Sequence, residues 1–118
     1  MVYVVGFVVP VPIAKLAQYR SLARKTGKVW MKHGALSYME NVADDVKPGK
    51  VTSFPQSVKL KKGEVVVLAW VTYKSRKHRD AVNKKVFADP FMKSHDPKTV
   101  PFDGKRMFWG GFKSIVSF

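Results

Sequence analysis

The chain has no cysteine among its 118 residues. Disulfides, thiolate nucleophiles and cysteine-ligated zinc or iron–sulfur centres are therefore excluded. Acidic residues are scarce: Asp and Glu number 8 against 22 Lys and Arg, a formal net charge of +14. No apolar run approaches the roughly 20 residues of a membrane span. Residues 1–14 are apolar, but they lack a basic start and are broken by Pro10 and Pro12, which makes a poor signal peptide. The expectation is a cytoplasmic protein with no membrane partner. Histidine is limited to His33, His78 and His95. No pair has the spacing of a shared helical face and there is no His-Glu-x-x-His, so no metal is expected. Gly-x-Ser-x-Gly, the P-loop and Gly-x-Gly-x-x-Gly are absent too, and no cofactor is expected.

What remains fits a single domain over residues 1–118. Apolar residues make up 46% and charged residues 25%, a globular rather than a disordered composition. The positive field attracts anions of every kind. The basic residues nevertheless avoid the apolar runs 2–14 and 65–73. They collect at 15–32, 47–62, 74–85 and 93–113, as a solvated face would.

Residues 2–9 are β-branched and aromatic, which predicts a strand. Pro12 suits the first turn of a helix. From Ile13 the apolar spacing becomes helical, with Leu16, Tyr19, Ala23 and Trp30 on one stripe. Gly34 closes that helix, and Gly27 is a weak point that marks a bend. Residues 36–42 alternate, placing Leu36, Tyr38, Glu40 and Val42 on one face. Residues 47–50 read as a turn. The 51–60 stretch is ambiguous, because Phe54-Pro55 argues against a central strand. Residues 64–73 form the strongest strand. Ser75 is an N-cap for a helix over 76–88, with Ala81, Val82 and Val86 inward. Asp89-Pro90 opens a further short turn. Residues 93–104 read as loop. Residues 105–116 read as a final strand, with Gly110-Gly111 a bulge or a close approach.

The order is βαββαβ, which predicts an α+β, ferredoxin-like fold with an antiparallel sheet. Two helices cover one face of such a sheet. Both faces are apolar here, Val2, Val4 and Val8 against Tyr3, Val5, Phe7 and Val9. A second copy of the same sheet, forming a homodimer, is the economical cover.

Four motifs in order resemble the YbaA-like family of uncharacterised bacterial proteins. They are Val29-Trp30 with His33-Gly34-Ala35; residues 49–56, Gly-Lys-Val-Thr-Ser-Phe-Pro-Gln; residues 75–83, Ser-Arg-Lys-His-Arg-Asp-Ala-Val-Asn, with Asp89-Pro90; and residues 101–107, Pro-Phe-Asp-Gly-Lys-Arg-Met, with Gly110-Gly111-Phe112. The resemblance spans essentially the whole chain and implies a dimeric α/β-barrel. The family is a domain of unknown function. Its wider superfamily contains cofactor-independent monooxygenases, dechlorinases and stress-response barrels, a fold-level likeness that carries no catalytic residue across.

The candidate ligand-binding residues are His33, Glu40, Ser53, Arg79 and Arg106, and no catalytic residue is assigned. His33 falls at the end of the first helix, where a cationic ring is favoured, and its simpler role is a cap. Glu40 is an acid on an apolar face and needs a partner. Arg79 or Arg106 is the expected one, as a structural ion pair or as the polar spot of a pocket. Ser53 lies in a long connection, and residues 51–56 are expected to gate a site between sheet and helices. Basic surroundings would favour a small anionic ligand there. Proton transfer by His33 or Glu40 is the chemistry such a site would offer. Aromatics at Trp30, Tyr38, Trp70, Tyr73, Phe108 and Trp109 could line it, but such spacings also describe plain core.

The alternatives are a nucleic-acid module or a purely structural or interaction protein. The RNA-recognition motif shares the βαββαβ order and stacks bases on its first and third strands. The 64–71 strand reads Glu-Val-Val-Val-Leu-Ala-Trp-Val, without the basic–Gly–aromatic–Gly–aromatic pattern that mechanism requires. No specific nucleic-acid partner is expected.

Overall fold

The computed structural model describes residues 2–118. Strand β1 (Tyr3–Pro12) leads through a 3-10 turn, Ile13–Lys15, into helix α1 (Leu16–Lys32). Strand β2 (Ser37–Val42), a single helical turn α2 (Phe54–Ser57) and strand β3 (Glu64–Tyr73) follow. Helix α3 (Arg76–Ala88), the short α4 (Pro90–Lys93), a 3-10 turn at Pro97–Thr99 and strand β4 (Phe108–Lys113) complete the chain. The four strands are antiparallel in the order β2-β3-β1-β4. This is the ferredoxin-like α+β architecture.

Local chemistry accounts for the boundaries. His33 ends α1, and Gly34 follows at φ +108°, a conformation that favours glycine. Gly34 N–H donates to Met31 O and Ala35 N–H to Trp30 O, closing a Schellman motif. The Ser75 hydroxyl accepts from His78 N–H at 3.1 Å and the Asp89 carboxylate from Phe91 N–H at 2.9 Å, capping α3 and α4. Ser53 caps α2 in the same way, accepting from Gln56 N–H at 3.2 Å.

The structure corrects several expectations. The first strand runs three residues further than the 2–9 reading, through two prolines, because Pro10 pairs with Val66 and Pro12 ends the ladder. Helix α1 runs through Gly27 as one element, so this glycine answers a contact rather than a bend. Ala81 is exposed; Val82 and Val86 alone of the three are buried. The last strand is six residues, not twelve, and its register stays continuous through Gly110 and Gly111. There is no bulge: a Cβ on Gly111 would sit 2.1 Å from the Tyr3 hydroxyl, so the close approach decides.

The ladder sorts the side chains by face. Tyr3, Val5, Phe7, Val9 and Val11 lie beside Tyr73, Val71, Ala69, Val67 and Val65. This face carries the core under α1 and α3, with Val29, Val82 and Val86 at one end and Tyr19 and Ala23 at the other. The opposite face carries Val4, Gly6 and Val8 beside Leu68, Trp70 and Thr72, flanked by Met39 on β2 and Phe108 and Phe112 on β4. The segment after α2 covers one end of it, with Val58 buried against Val8 and Val66. The remainder is open: Met39 is 47% exposed and Phe112 64%.

Candidate functional site

Glu40 stands mid-strand on β2, facing the helices, with Ala69 beside it on β3. Its side chain is partly buried. The carboxylate accepts from the Tyr19 hydroxyl of α1 at 2.6 Å and from the Tyr38 hydroxyl at 2.5 Å. Burial, then the negative charge of Glu40, pushes both phenols well above their ordinary range. In the protonated form each donates to the carboxylate. Thr26 lies 3.1 Å from the Tyr38 oxygen. Gly27 makes room for the Tyr38 ring, since a Cβ there would lie 2.7 Å from ring carbon Cδ1.

This group faces a cavity of about 220 Å³ between sheet, α1 and the segment after α3. Phe7, Val9, Ala69 and Val71 form its floor, Leu22, Ala23 and Trp30 one wall. Met92, His95, Val100, Phe102 and Met107 close the other side. On the far side of Tyr19, Tyr38 and Glu40 runs a groove of about 770 Å³ along α1 and the β2 edge. Arg20, Arg24 and Lys28, four residues apart on α1, line it. Tyr19, Tyr38 and Glu40 border both spaces.

The other four candidates lie elsewhere. The expected pairing of Glu40 with Arg79 or Arg106 does not occur. Arg79 Nε donates to Asp80 at 2.7 Å, and its guanidinium lies 5.2 Å from the Tyr3 ring centroid. Arg106 donates to both Glu64 oxygens at 2.8 and 2.6 Å, to Asp103 at 2.8 Å, and to the Val58 and Lys59 carbonyls. It staples β3 to the segment after α2. That pairing holds the Glu64 and Asp103 carboxyls below the usual carboxylate range. His33 occupies the C-cap position of α1, but its ring turns to Asp89, with Nε2 and Oδ2 2.8 Å apart. Lys32 adds a 3.4 Å contact, and Asp89 is held low, first by its hydrogen bond to His33. Ser53 is spent as a cap. Phe54 of the 51–56 segment lies beside Val66 and Leu68 on the opposite sheet face, and none of residues 51–56 lines the cavity they were expected to gate.

The family described as "Protein of unknown function (DUF1428)" matches residues 2–104. The chain belongs to this family. The "Uncharacterized protein YbaA" of Escherichia coli (strain K12) is 47% identical over 116 residues, 98% of each chain. A dimeric ferredoxin-like protein from an uncultured marine organism superposes with a TM-score of 0.63 at 16% identity, covering 100% of both chains. A NIPSNAP family protein from Agrobacterium tumefaciens (strain C58) gives 0.58 at 15% identity, covering 98% of this chain and 89% of that one. At such identities the likeness is one of fold.

Within this DUF1428 chain the sequence reading singled out Glu40 but missed its partners. Helical spacing alone assigns Tyr19 to the core stripe. The signal was present in two unmet demands: a buried tyrosine hydroxyl seeks a partner, and so does an acid on an apolar face. Trp30 and Tyr38 do line the cavity, whereas Tyr73 lies in the core. Trp70 and Phe108 take the opposite face, and Trp109 stands 61% exposed. Among the described residues, no cluster of three or more His, Asp and Glu could hold a metal ion. No helix among them is long and apolar enough to cross a membrane.

Proposed function

We propose that the protein is a single-domain, cytoplasmic homodimer that binds a small molecule in the cavity beside Glu40. One observation carries the binding reading: a carboxylate held by two tyrosine hydroxyls on the wall of an otherwise apolar and aromatic cavity. A few placed polar groups on apolar walls are what a ligand site requires. A carboxylate half-removed from water is costly unless hydrogen-bonded, and the two phenols meet that need here while leaving lone pairs free. Should chemistry occur, Glu40 is the group placed for proton transfer; His33 is engaged by Asp89 outside the cavity. An anionic ligand would belong in the outer groove, where Arg20, Arg24 and Lys28 stand.

The dimer reading rests on the open sheet face. On the open part of that face Ser37, Met39, Asn41, Leu68, Trp70, Thr72, Val4, Gly6, Phe108, Gly110 and Phe112 carry no charge, in a chain of net charge +14; Glu64 shares the face only at its covered end, paired with Arg106. Here two such chains can meet without bringing like charges together. That one fold neighbour is described as dimeric supports the same reading. The uncharged face also argues against a nucleic-acid platform, which needs cations beside its stacking rings. Tyr3 and Phe7, the aromatics that would stack bases, face the helices instead.

A thermal-shift screen of small neutral, anionic and cationic aromatics tests the binding reading. Stabilisation by at least one class, lost when Val71→Trp fills the cavity, is expected. No stabilisation by any class would leave a structural role.

A further inference from the structure

We propose that the cavity selects a neutral apolar molecule bearing a hydroxyl group, which donates a hydrogen bond to Glu40. This rests on the binding reading above and specifies the ligand class.

The argument is an account of donors. Six polar side chains line the cavity: Tyr19, Thr26, Trp30, Tyr38, Glu40 and His95. Both phenol protons are given to Glu40. The Thr26 hydroxyl lies 3.1 Å from the Leu22 and Ala23 carbonyls of its own helix, which can only accept. The Trp30 indole N–H donates to the Tyr73 hydroxyl at 2.9 Å and to Asn83 Oδ1 at 3.2 Å. His95 Nδ1 lies 2.9 Å from the Phe91 carbonyl, so the proton of a neutral ring sits on Nδ1 and Nε2 is left as an acceptor. The donors among these side chains are therefore engaged. What faces the cavity is a set of lone pairs, those of Glu40 foremost, since each of its oxygens takes one phenol and has room for another donor.

A ligand acceptor would find no partner there and would lose its hydrogen bonds to water. A ligand anion would meet the Glu40 charge with no Lys or Arg on the cavity wall among the described residues. A ligand hydroxyl completes the carboxylate's hydrogen bonding, and Phe7, Tyr19, Trp30, Tyr38 and Phe102 supply ring faces and edges for an apolar body. A protonated amine would satisfy Glu40 as well. It must, however, approach a chain of net charge +14, with Arg20, Arg24 and Lys28 bordering the groove on the other side of Glu40. The observations favour the neutral donor.

Calorimetric titration with four matched probes tests this: 1-naphthol, 1-methoxynaphthalene, 1-naphthoate and 1-naphthylmethylamine. We expect 1-naphthol to bind on the order of tenfold more tightly than its methyl ether, as one hydrogen bond to a charged acceptor implies. The naphthoate should bind more weakly than the ether. In Glu40→Gln, which removes the charge and turns one acceptor oxygen into an N–H donor, the preference for naphthol over the ether should shrink several-fold. Equal binding of naphthol and its ether, or tightest binding of the naphthoate or the amine, would overturn the proposed class and leave the binding reading intact. No binding of any probe, with a folded protein by circular dichroism, would count against both.

Discussion

A Cβ on Gly27 would lie 2.7 Å from Cδ1 of Tyr38 and 3.3 Å from Cγ, so helix α1 and strand β2 meet through a glycine and a ring face. In an exposed helix, Gly→Ala is stabilising, by about 0.5–1 kcal/mol. Here the new methyl group meets a ring that is itself fixed by Glu40 and Thr26. Gly27→Ala should therefore destabilise by about 1–3 kcal/mol, the range of overpacked cores. Urea unfolding checks this; a gain in stability would show that the ring moves aside freely.

Tyr19→Phe removes one of the two hydrogen bonds on Glu40 without removing the ring. The expected loss is about 1–3 kcal/mol, since a partly buried carboxylate keeps its charge and loses a donor. Tyr38→Phe should cost a similar amount. Because the two hydroxyls share one acceptor group, the double variant should differ measurably from the sum of the singles. Additivity in a double-mutant cycle would mean that the two phenols act independently.

Alkaline behaviour follows from the same group. Both phenol pKa values are raised on folding, first by burial and then by Glu40. The unfolded chain ionises its tyrosines near the ordinary value of about 10. Below that pH the stabilising difference is complete; as pH rises above it, the unfolded chain loses protons that the folded chain keeps, and stability falls. Absorbance titration of the folded protein should show Tyr19 and Tyr38 silent at pH 11. In Glu40→Gln their onset should move down only partway, because burial is the larger cause.

At the acid end the signs reverse. Asp89, Glu64 and Asp103 titrate below their ordinary values when folded. Their contribution is present above the unfolded carboxylate range and is lost as pH falls from about 5 through the folded values. Arg106→Leu should flatten this dependence and lower Tm at pH 7, since Glu64, whose side chain is only 10% exposed, loses its partner. An unchanged acid limb would remove Arg106 from the account.

Leu68→Asp places a charge on the open sheet face, and Val71→Asp places one against the helices. The two should fail differently. Leu68→Asp should leave a folded chain whose self-association is weakened by at least about a hundredfold. Val71→Asp should unfold the chain. Sedimentation beside circular dichroism separates the outcomes.

The ferredoxin-like order, the two apolar strand faces and the caps at Ser75 and Asp89 were legible in the sequence because each is a local pattern. Period-two alternation marks a strand whatever it packs on, and a Ser or Asp before a helix caps it without long-range help. The site was legible only by half. Glu40 announced itself as an acid among apolar neighbours, but its partner was sought among cations, as charge alone suggests. The pairing with Tyr19 depends on how α1 crosses β2, and Gly27 sets that approach through the packed Tyr38 ring. The role of residues 51–56 was likewise a tertiary fact. Val58 turns buried against Val8 and Val66, and this takes the preceding loop to the sheet face away from the cavity.

Methionine methyl groups offer the most direct test of the central claim, that ligands bind in the Glu40 cavity. Met92 and Met107 line it, Met31 lines the outer basic groove, and Met39 sits on the open sheet face. Carbon-13 methyl spectra of the methionine-labelled protein, titrated with 1-naphthol, therefore report each surface separately. The account predicts saturable shifts at Met92 and Met107, with Met31 and Met39 unmoved. Shifts confined to Met31 or Met39, with Met92 and Met107 silent, would contradict it.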